Sequence, residues 1–564
     1  MKFSEIEYKR PDIKAARKQL NTYLKGVKTA SSEEELCQIV LDMDNFSRDT
    51  FTMAVVAHIR NTLDMTDTFY EQEMQFFAKA GARLQMINKR INKAILASPH
   101  REGLSKRFGD LMLKDMENEI KLMNAKIIPL MIKEHKLTQQ YSKDAATAST
   151  DFRGEKCNFY GLLKHMESTD RDERAEAFRA WAALYEQIAP KLDATYDQLV
   201  ALRVKMAKKL GFDNYIDYIY PARHRYDYTA ADVAAFRKQV KEEIVPICDE
   251  LYRAQKERLG IDRLHIYDER IVFAEGNAIP KGNKDELVQK ALEFYRALSP
   301  ETGEFFGFMV DNEMFDLETR PGKHMGGYCT FLPKLMSPFI FSNFNGTLED
   351  VNVLTHEAGH AFEAYTAARI QPLSDMVFST SEINEIHSMS MEHFAYPYAD
   401  LFFGEEADKY RYAHLVGALT CIPYLVCVDE FQHRVFENPT MTAMDRRKVW
   451  RDIERTYMPW RDYDGNEFLE GGGFWMQKQH IFLYPFYYID YALAQICAFQ
   501  IYGMDRKDHA KAWDVYMKLC RMGGSRGYLE TLQTADLKSP FAPDTVASVM
   551  RDVKDAIDEF AAKL

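Results

Sequence analysis

The chain has 564 residues, of which 46% are hydrophobic and 28% charged, a balance that excludes a disordered protein and provides ample material for a core. Its formal net charge of −12 does not suit a nucleic-acid-binding protein, and no concentrated basic stripe offsets that charge. The eight cysteines are scattered without a CxxC pair, which is typical of reduced thiols in an intracellular protein.

The N-terminal sequence MKFSEIEYKRPD contains no apolar stretch of the kind that a secretory signal needs. The longest apolar run, residues 418–428, has 11 residues and includes Pro423, whereas a bilayer span needs about 20. We therefore expect a cytoplasmic protein that does not enter a membrane.

Helical periodicity dominates the first part of the chain. Long stretches there are poor in glycine and proline, and their apolar residues recur every three or four positions. These stretches are residues 33–63, 67–96, 101–136 and 168–210. We expect a helical N-terminal lobe over residues 1–195, followed by a second lobe over residues 196–564.

Strand signals are concentrated in the region before residue 350. Four short segments are rich in β-branched or aromatic residues, and glycine or proline separates several of them. They are residues 270–274, 309–315, 327–332 and 338–344. The helical pattern then returns and continues nearly to the end. The predicted fold class is therefore mainly α, with one small β-sheet.

The sequence HEAGH places His356 and His360 four residues apart. Histidines at i and i+4 project from one face of a helix, so both imidazoles can reach one zinc ion. Glu357 then points toward the rim of the site, where the reacting water would lie. Thr347 and Asp350 have the spacing of a capping box that would start this helix. The pattern predicts zinc-dependent hydrolysis.

A third protein ligand is expected, because catalytic zinc usually has three such ligands and one open position. Thr366 excludes the metzincin pattern, which carries a third histidine six residues after the second. The next helical stretch offers carboxylates and, less favourably, imidazoles: Glu382, Glu385 and Glu392, with His387 and His393. Spacing alone leaves the three glutamates open.

HEAGH, followed after 24 residues by Glu385, resembles the thimet oligopeptidase and oligoendopeptidase F family of zinc metallopeptidases, and the resemblance spans about residues 200–560. The liganding glutamate of that family begins an E-x-x-S-x-x-x-E segment, and residues 385–392 (EIHSMSME) fit it position by position. The resemblance implies one zinc ion held by His356, His360 and Glu385, with Glu392 holding a ligand imidazole. The motifs do not separate the bacterial Pz-peptidases, which act on collagen peptides, from other members.

The tyrosine-rich stretch HIFLYPFYYIDYA is expected to stabilise the oxyanion. Placing Pro485 in the first turn of a helix puts Tyr488 and Tyr491 on one helical face, with His480 and Tyr484 in the preceding loop. Family members carry a loop histidine followed by tyrosines that bind the substrate carbonyl. The resemblance implies this role for His480, Tyr484, Tyr488 and Tyr491, with Tyr487 as a competitor of Tyr488.

Glycines gather at Gly322, Gly326 and Gly327, and again at residues 471–473, where either hinged loops that close over a bound peptide or ordinary surface loops are expected; the resemblance favours the hinged loop at the first segment. Residues 338–345 are predicted to form an edge strand that pairs with an extended substrate. The resemblance implies a deep substrate channel between two helical lobes, with the small sheet beside the zinc-binding helix.

The leading hypothesis is a zinc endopeptidase that hydrolyses internal bonds of short unfolded peptides, with Glu357 as the general base. A carboxypeptidase or dipeptidyl carboxypeptidase of related fold is the alternative, and it needs a cationic anchor for the substrate carboxylate. A non-catalytic, metal-stabilised peptide-binding protein fits less well, because a structural site has no use for a base beside an open position.

Overall fold

Helices dominate the computed structural model, which describes residues 1–122, 124 and 126–564. The predicted mainly α fold class is confirmed. The first α-helices are α1 (Ile13–Thr29), α2 (Glu33–Leu63), α3 (Thr68–Leu96), α4 (Glu102–Phe108), α5 (Asp110–Leu122), α6 (Ile128–Thr147), α7 (Phe159–His165), α8 (Arg171–Leu210), α9 (Tyr215–Ala222), α10 (Ala230–Gln239), α11 (Val245–Arg258), α12 (Lys284–Leu298) and α13 (Pro300–Asp311).

The second half of the chain continues this helical pattern after a short β region. Its α-helices are α14 (Glu349–Ala367), α15 (Ser381–Phe394), α16 (Ala399–Phe403), α17 (Ala407–Thr420), α18 (Ile422–Glu437), α19 (Ala443–Tyr457), α20 (Glu467–Glu470), α21 (Gln479–Leu483), α22 (Tyr488–Asp505), α23 (His509–Met522), α24 (Tyr528–Thr534) and α25 (Thr545–Ala561). Side-chain caps begin many of the helices along the chain, as at α8, where Asp170 accepts a hydrogen bond from the backbone N–H of Asp172.

Five strands form two small sheets among the described residues. They are β1 (Thr150–Phe152), β2 (Glu155–Cys157), β3 (Phe315–Glu318), β4 (Tyr328–Leu332) and β5 (Ser337–Phe344). The first two pair as an antiparallel hairpin that the sequence did not predict. The others form a sheet of order β3-β5-β4, in which β3 is parallel and β4 antiparallel to β5.

The predicted strands at 327–332 and 338–344 are confirmed, but the prediction that the latter is an edge strand is wrong. β5 is the central strand, and seven of its eight residues are buried. A nearly continuous apolar run is typical of a strand that is buried on both faces. The strand predicted at 309–315 is also wrong, because α13 extends to Asp311 and β3 begins at Phe315.

The strand predicted at residues 270–274 is a loop in the structure. Ile271 and Phe273 are buried there, as the alternating pattern suggests. The backbone bonds to a side chain instead of a neighbouring strand, because Asn277 accepts from the N–H of Val272 and donates to the carbonyl of Arg270. A single asparagine thus satisfies polar groups that a strand would have paired.

The chain forms two compact units, each assembled from three separate segments. The first unit comprises Met1–Lys121, Ala278–Tyr410 and Cys497–Ser539, and the second comprises Leu122–Asn277, Arg411–Ile496 and Pro540–Leu564. Residue 195 lies inside the 40-residue helix α8. The division of the chain into lobes 1–195 and 196–564, and the channel between lobes, stay predictions.

One apolar window in the helical run Ser381–Glu437 has the length and hydropathy of a membrane span. Buried residues make up 67% of that window, as in the core helix of a soluble protein. The eight cysteines are free thiols, and six of them are buried. The cytoplasmic location stays a prediction.

Candidate metal centre and tyrosine cluster

Helix α14 carries the HEAGH sequence and follows β5 in the first unit. The predicted capping box is wrong, because the helix begins at Glu349 and its N-cap residue makes no side-chain hydrogen bond. Asp350 instead accepts hydrogen bonds from the backbone N–H groups of Asn345 (2.9 Å) and Gly346 (2.7 Å). This carboxylate therefore fixes the turn that leads from the sheet into the helix.

His356, His360 and Glu385 converge on one point in the first unit, with their ligand atoms within 4.8 Å of one another. Nε2 of His356 lies 3.3 Å, and Nε2 of His360 lies 3.5 Å, from Oε2 of Glu385. The two imidazole rings stand at 85° to each other, with centroids 5.0 Å apart. Two nitrogens and one carboxylate oxygen are the donor set of a catalytic zinc site, so these residues fit that ion.

Close packing of α14 on α15 brings the ligands together. A β-carbon at Gly359 would lie only 2.7 Å from both the carbonyl oxygen of His387 and Cα of Ser388. The hydroxyl of Ser388 also donates to Oε2 of Glu385 at 3.1 Å. The glycine of HEAGH and the serine of E-x-x-S-x-x-x-E are therefore explained by the same contact between two helices.

Glu392 orients one of the histidines, since its Oε1 lies 2.5 Å from Nδ1 of His356. A hydrogen bond from Nδ1–H to a carboxylate leaves Nε2 with its lone pair directed toward Glu385. Burial opposes the ionisation of Glu385, but the adjacent His360 and His356 hold its pKa well below the usual range. The carboxylate that faces the histidines is thus ionised, as a metal ligand must be.

Glu382, His387 and His393 lie outside this convergent set in the part of the chain that the structure describes. His387 is fully buried, and burial lowers its pKa to about 3, so its imidazole is neutral at pH 7. The ring of His393 stacks on Tyr502 with a centroid distance of 5.0 Å. These two histidines are core residues.

Glu357 lies beside the ligands and is only 9% exposed. Burial raises its pKa, against the lowering influence of His356 and His360. A β-carbon at Gly327, the residue before β4, would lie 3.5 Å from Oε1 of Glu357. The backbone of Gly327 therefore borders the carboxylate without a side chain, which the sequence did not predict.

The two glycine-rich loops make several contacts with neighbouring segments. Lys323 donates to the backbone carbonyls of Asp316 and Glu318 and to the Asp316 carboxylate, and the N–H of His324 donates to the carbonyl of Thr62. In the second unit, a β-carbon at Gly472 would collide with the backbone of Arg447. Closure of these loops over a peptide stays a prediction.

His480 and the tyrosines belong to the second unit. His480 lies in the short helix α21 and not in a loop, and Arg203 donates to the carbonyl oxygens at the end of this helix, those of Ile481 and Phe482.

The prediction for Pro485 is also wrong, because α22 begins only at Tyr488. Side chains bind the intervening backbone and keep it out of the helix: Arg223 donates to the carbonyl of Pro485, Arg225 donates to that of Phe486, and Gln432 accepts from the N–H of Phe486.

The predicted tyrosines surround His480. The ring of His480 lies 4.8 Å from Tyr488, 6.1 Å from Tyr487 and 6.0 Å from Tyr484, measured between centroids. Tyr491 contacts both Tyr487 (5.2 Å) and Tyr488 (5.9 Å). Tyr484 is 54% exposed. The geometry brings the cluster together and leaves Tyr487 and Tyr488 as competitors.

Two cations that no motif marks also lie in this cluster. Nζ of Lys478 lies 4.8 Å from the ring centroid of Tyr488, and the guanidinium carbon of Arg223 lies 5.0 Å from that of Tyr487. Burial, with these two positive charges, lowers the pKa of His480 to about 4. Its buried Nδ1 has no hydrogen-bond partner among the described residues. His480 is therefore a neutral imidazole at pH 7.

Curated relatives resemble this chain at low identity. Oligopeptidase PepF of Bacillus subtilis (strain 168) is 22% identical over 423 residues, which cover 72% of this chain and 60% of the relative. Group B oligopeptidase PepB of Streptococcus agalactiae serotype III (strain NEM316) is 22% identical over 72% of this chain and 66% of its own length. Both matches span less than two thirds of the relative.

One solved structure has a much higher sequence identity to this chain than these relatives have. Pz peptidase A, whose structure was solved with an inhibitor, is 43% identical with a TM-score of 0.92, and the match covers 99% of both chains. The Peptidase M3 N-terminal domain matches residues 3–123, and Peptidase family M3 matches residues 164–299 and 301–550. The resemblance to the oligoendopeptidase F family is thereby confirmed, and the chain belongs to peptidase family M3.

Proposed function

We propose that this protein is a zinc-dependent endopeptidase that hydrolyses internal bonds of short, unfolded oligopeptides. The main support is the position of Glu357, a buried carboxyl next to the convergent atoms of His356, His360 and Glu385. A structural metal site would not require a base beside its ligands. The match to the inhibitor-bound Pz peptidase A over 99% of both chains supports the same class of activity.

The roles of these residues follow from their chemistry. His356, His360 and Glu385 would hold the ion, and Glu392 would keep the imidazole of His356 in the required tautomer. Bound zinc supplies a Lewis acid that activates water and polarises the scissile carbonyl. Glu357 takes a proton from the water and passes it to the leaving amine. Burial raises the pKa of Glu357, which increases its affinity for a proton.

Donors from the tyrosine cluster would stabilise the oxyanion. Tyr488 or Tyr491, together with Tyr484, donates a phenolic O–H to the charge that develops on the substrate carbonyl. His480 is neutral at pH 7, so it can donate a hydrogen bond without carrying a buried charge. Arg203 and Arg223 hold the backbone around these groups in place.

The substrate backbone would pair with β4 instead of β5. β5 is the central strand, whereas β4 has an unpaired outer edge in the described sheet. β4 begins at Tyr328, next to Gly327, whose backbone borders Glu357. An extended peptide on that edge would be read through its main chain. We therefore propose broad side-chain tolerance.

A carboxypeptidase or dipeptidyl carboxypeptidase is the second candidate, and one observation favours it. Lys478 and Arg223 lie beside His480, and the carboxylate of Asp490 interacts electrostatically with Arg223, whereas burial lowers the pKa of Lys478 to about 8. Either cation could bind the C-terminal carboxylate of a substrate. In a carboxypeptidase, the tyrosine cluster and its cations would bind the C-terminal end of the peptide.

Mass spectrometry of cleavage products distinguishes the two. A library of peptides of about 5 to 15 residues is digested in two forms, with free C-termini and with amidated C-termini. An endopeptidase cleaves both forms at the same internal bonds. A carboxypeptidase loses activity on the amidated form, and in that case Lys478→Met would reduce cleavage of the free form alone.

A further inference from the structure

A second set of possible metal ligands lies in the second unit, in residues that the proposed peptidase site does not use. Glu155 and Cys157 are on β2, and His165 is the last residue of α7. One ligand atom from each lies within 4.8 Å of the other two. Carboxylate, thiolate and imidazole together are a donor set for a transition metal such as zinc.

The hairpin places the first two ligands on one side of the strand. Residues i and i+2 of a strand share a face, which aligns Glu155 with Cys157. The turn that precedes them is tight, since Arg153 has φ = 49° and Gly154 has φ = 88°. The first turn of α7 also leaves room at the thiol, because a β-carbon at Gly161 would lie 3.3 Å from Sγ of Cys157.

His165 is already oriented by a carboxylate. Its Nδ1 lies 2.6 Å from Oε1 of Glu173, in the first turn of α8, and Glu173 also accepts a hydrogen bond from Ser168. Nδ1–H bonded in this way leaves Nε2 free to bind a metal. The same arrangement holds His356 against Glu392 in the first unit. A carboxylate-held imidazole beside a thiol is independent support for a metal site.

We propose that Glu155, Cys157 and His165 bind a second, exchangeable zinc-like divalent cation, with water completing the coordination. Cys157 is 5% exposed whereas Glu155 is exposed, so the site opens to solvent on one side. Binding displaces the proton of the Cys157 thiol into solvent. The ion joins the hairpin to α7 and, through Glu173, to α8, and it thereby stabilises the second unit.

Cobalt substitution tests the proposal in the full-length protein. Only a site with a thiolate gives a sulfur-to-cobalt charge-transfer band in the near ultraviolet, and the His356, His360 and Glu385 set has none. Titration of the metal-free protein with Co²⁺ should show two ions per chain and this band. Cys157→Ser should bind one Co²⁺ ion per chain and lose the band. Cys421→Ser, which changes an exposed cysteine, should still bind two ions and keep the band.

Two further variants test whether misfolding, instead of loss of a ligand, could explain a missing band in Cys157→Ser. Glu173→Gln keeps the thiol but weakens the orientation of His165, so the band should persist with a Co²⁺ affinity about 10-fold to 100-fold lower. Glu357→Gln, which tests the peptidase proposal, should leave the band unchanged. The proposal is overturned if wild-type protein with intact helical circular dichroism binds a single Co²⁺ without the band, or if the band survives in Cys157→Ser.

Discussion

The backbone of Gly359 lies so close to His387 that a β-carbon at residue 359 would sit 2.7 Å from the carbonyl oxygen of His387. This contact sets the separation of α14 and α15, which carry His356 and His360 on one side and Glu385 on the other. The donor geometry of the candidate metal centre therefore depends on the absence of one methyl group.

Gly359→Ala should move α15 away from α14 and weaken zinc binding by at least about 10-fold, because the ligand distances no longer suit one ion. The zinc affinity is measured from the metal content of the protein after dialysis against increasing concentrations of a chelator. Gly417→Ala is the matched control, since Gly417 is also helical but a β-carbon there meets nothing within 4 Å. Equal metal affinity in both variants would contradict the packing argument.

Glu392→Gln should lower zinc affinity by about 10-fold to 100-fold, because the neutral amide holds the imidazole of His356 less firmly in its tautomer. Competition with a fluorescent zinc chelator provides the measurement. The exposed Glu405 offers a control of equal charge change, as Glu405→Gln. Unchanged affinity in Glu392→Gln would show that the short contact does not orient the ligand.

Tyr488→Phe should reduce kcat by about 10²-fold to 10³-fold, with a small change in KM, if its hydroxyl donates to the oxyanion. Tyr487→Phe is the matched control, because both rings contact His480 and Tyr491. We expect Tyr487→Phe to lose less than about 10-fold. The reverse pattern in steady-state kinetics would transfer the role to Tyr487.

His433 should make the protein sensitive to acid. Burial lowers its pKa to about 4, below the unfolded value of about 6.5. The unfolded state therefore binds the proton first, and stability is retained above pH 6.5 and lost as the pH falls toward 4. One such group contributes a loss of about 2 kcal/mol between pH 8 and pH 5.

Urea unfolding of wild-type protein and His433→Gln at pH 8 and pH 5 checks this prediction. The variant should have a flatter dependence of unfolding free energy on pH, even if it is less stable at pH 8. His509→Gln serves as a control, because the side chain of His509 is 53% exposed. A pH dependence that is the same in wild type and His433→Gln would remove His433 as the cause.

Local patterns predicted the local structure well. The i, i+4 spacing of His356 and His360 implies one helical face, and the structure shows that geometry. The nearly continuous apolar run of β5 predicted a strand. The sequence did not show which strands would pair with β5, and its assignment to the edge of the sheet was therefore wrong. Glu385 needed the family resemblance, because spacing alone did not separate it from Glu382 and Glu392.

Long-range features were not readable from the sequence. The chain passes from one unit to the other at five points, and three of them lie in helices: 121/122 in α5, 410/411 in α17 and 496/497 in α22. The other two, 277/278 and 539/540, lie in loops, but no glycine or proline marks the three helical boundaries. Lys478 is two residues before His480 but belongs to no motif, and Arg223 is distant in sequence, so that only folding places it beside His480.

The central claim is that Glu357 is the general base of a zinc endopeptidase, and Glu357→Gln tests it most directly. Zinc content by mass spectrometry and cleavage of an amidated peptide library are measured on the same preparations of wild type and variant. We predict one tightly held zinc ion in the HEAGH site of both proteins, internal cleavage by wild type, and a loss of about 10²-fold to 10⁴-fold in the variant. Full activity in Glu357→Gln, or a zinc-loaded wild type that cleaves no peptide, would contradict the claim.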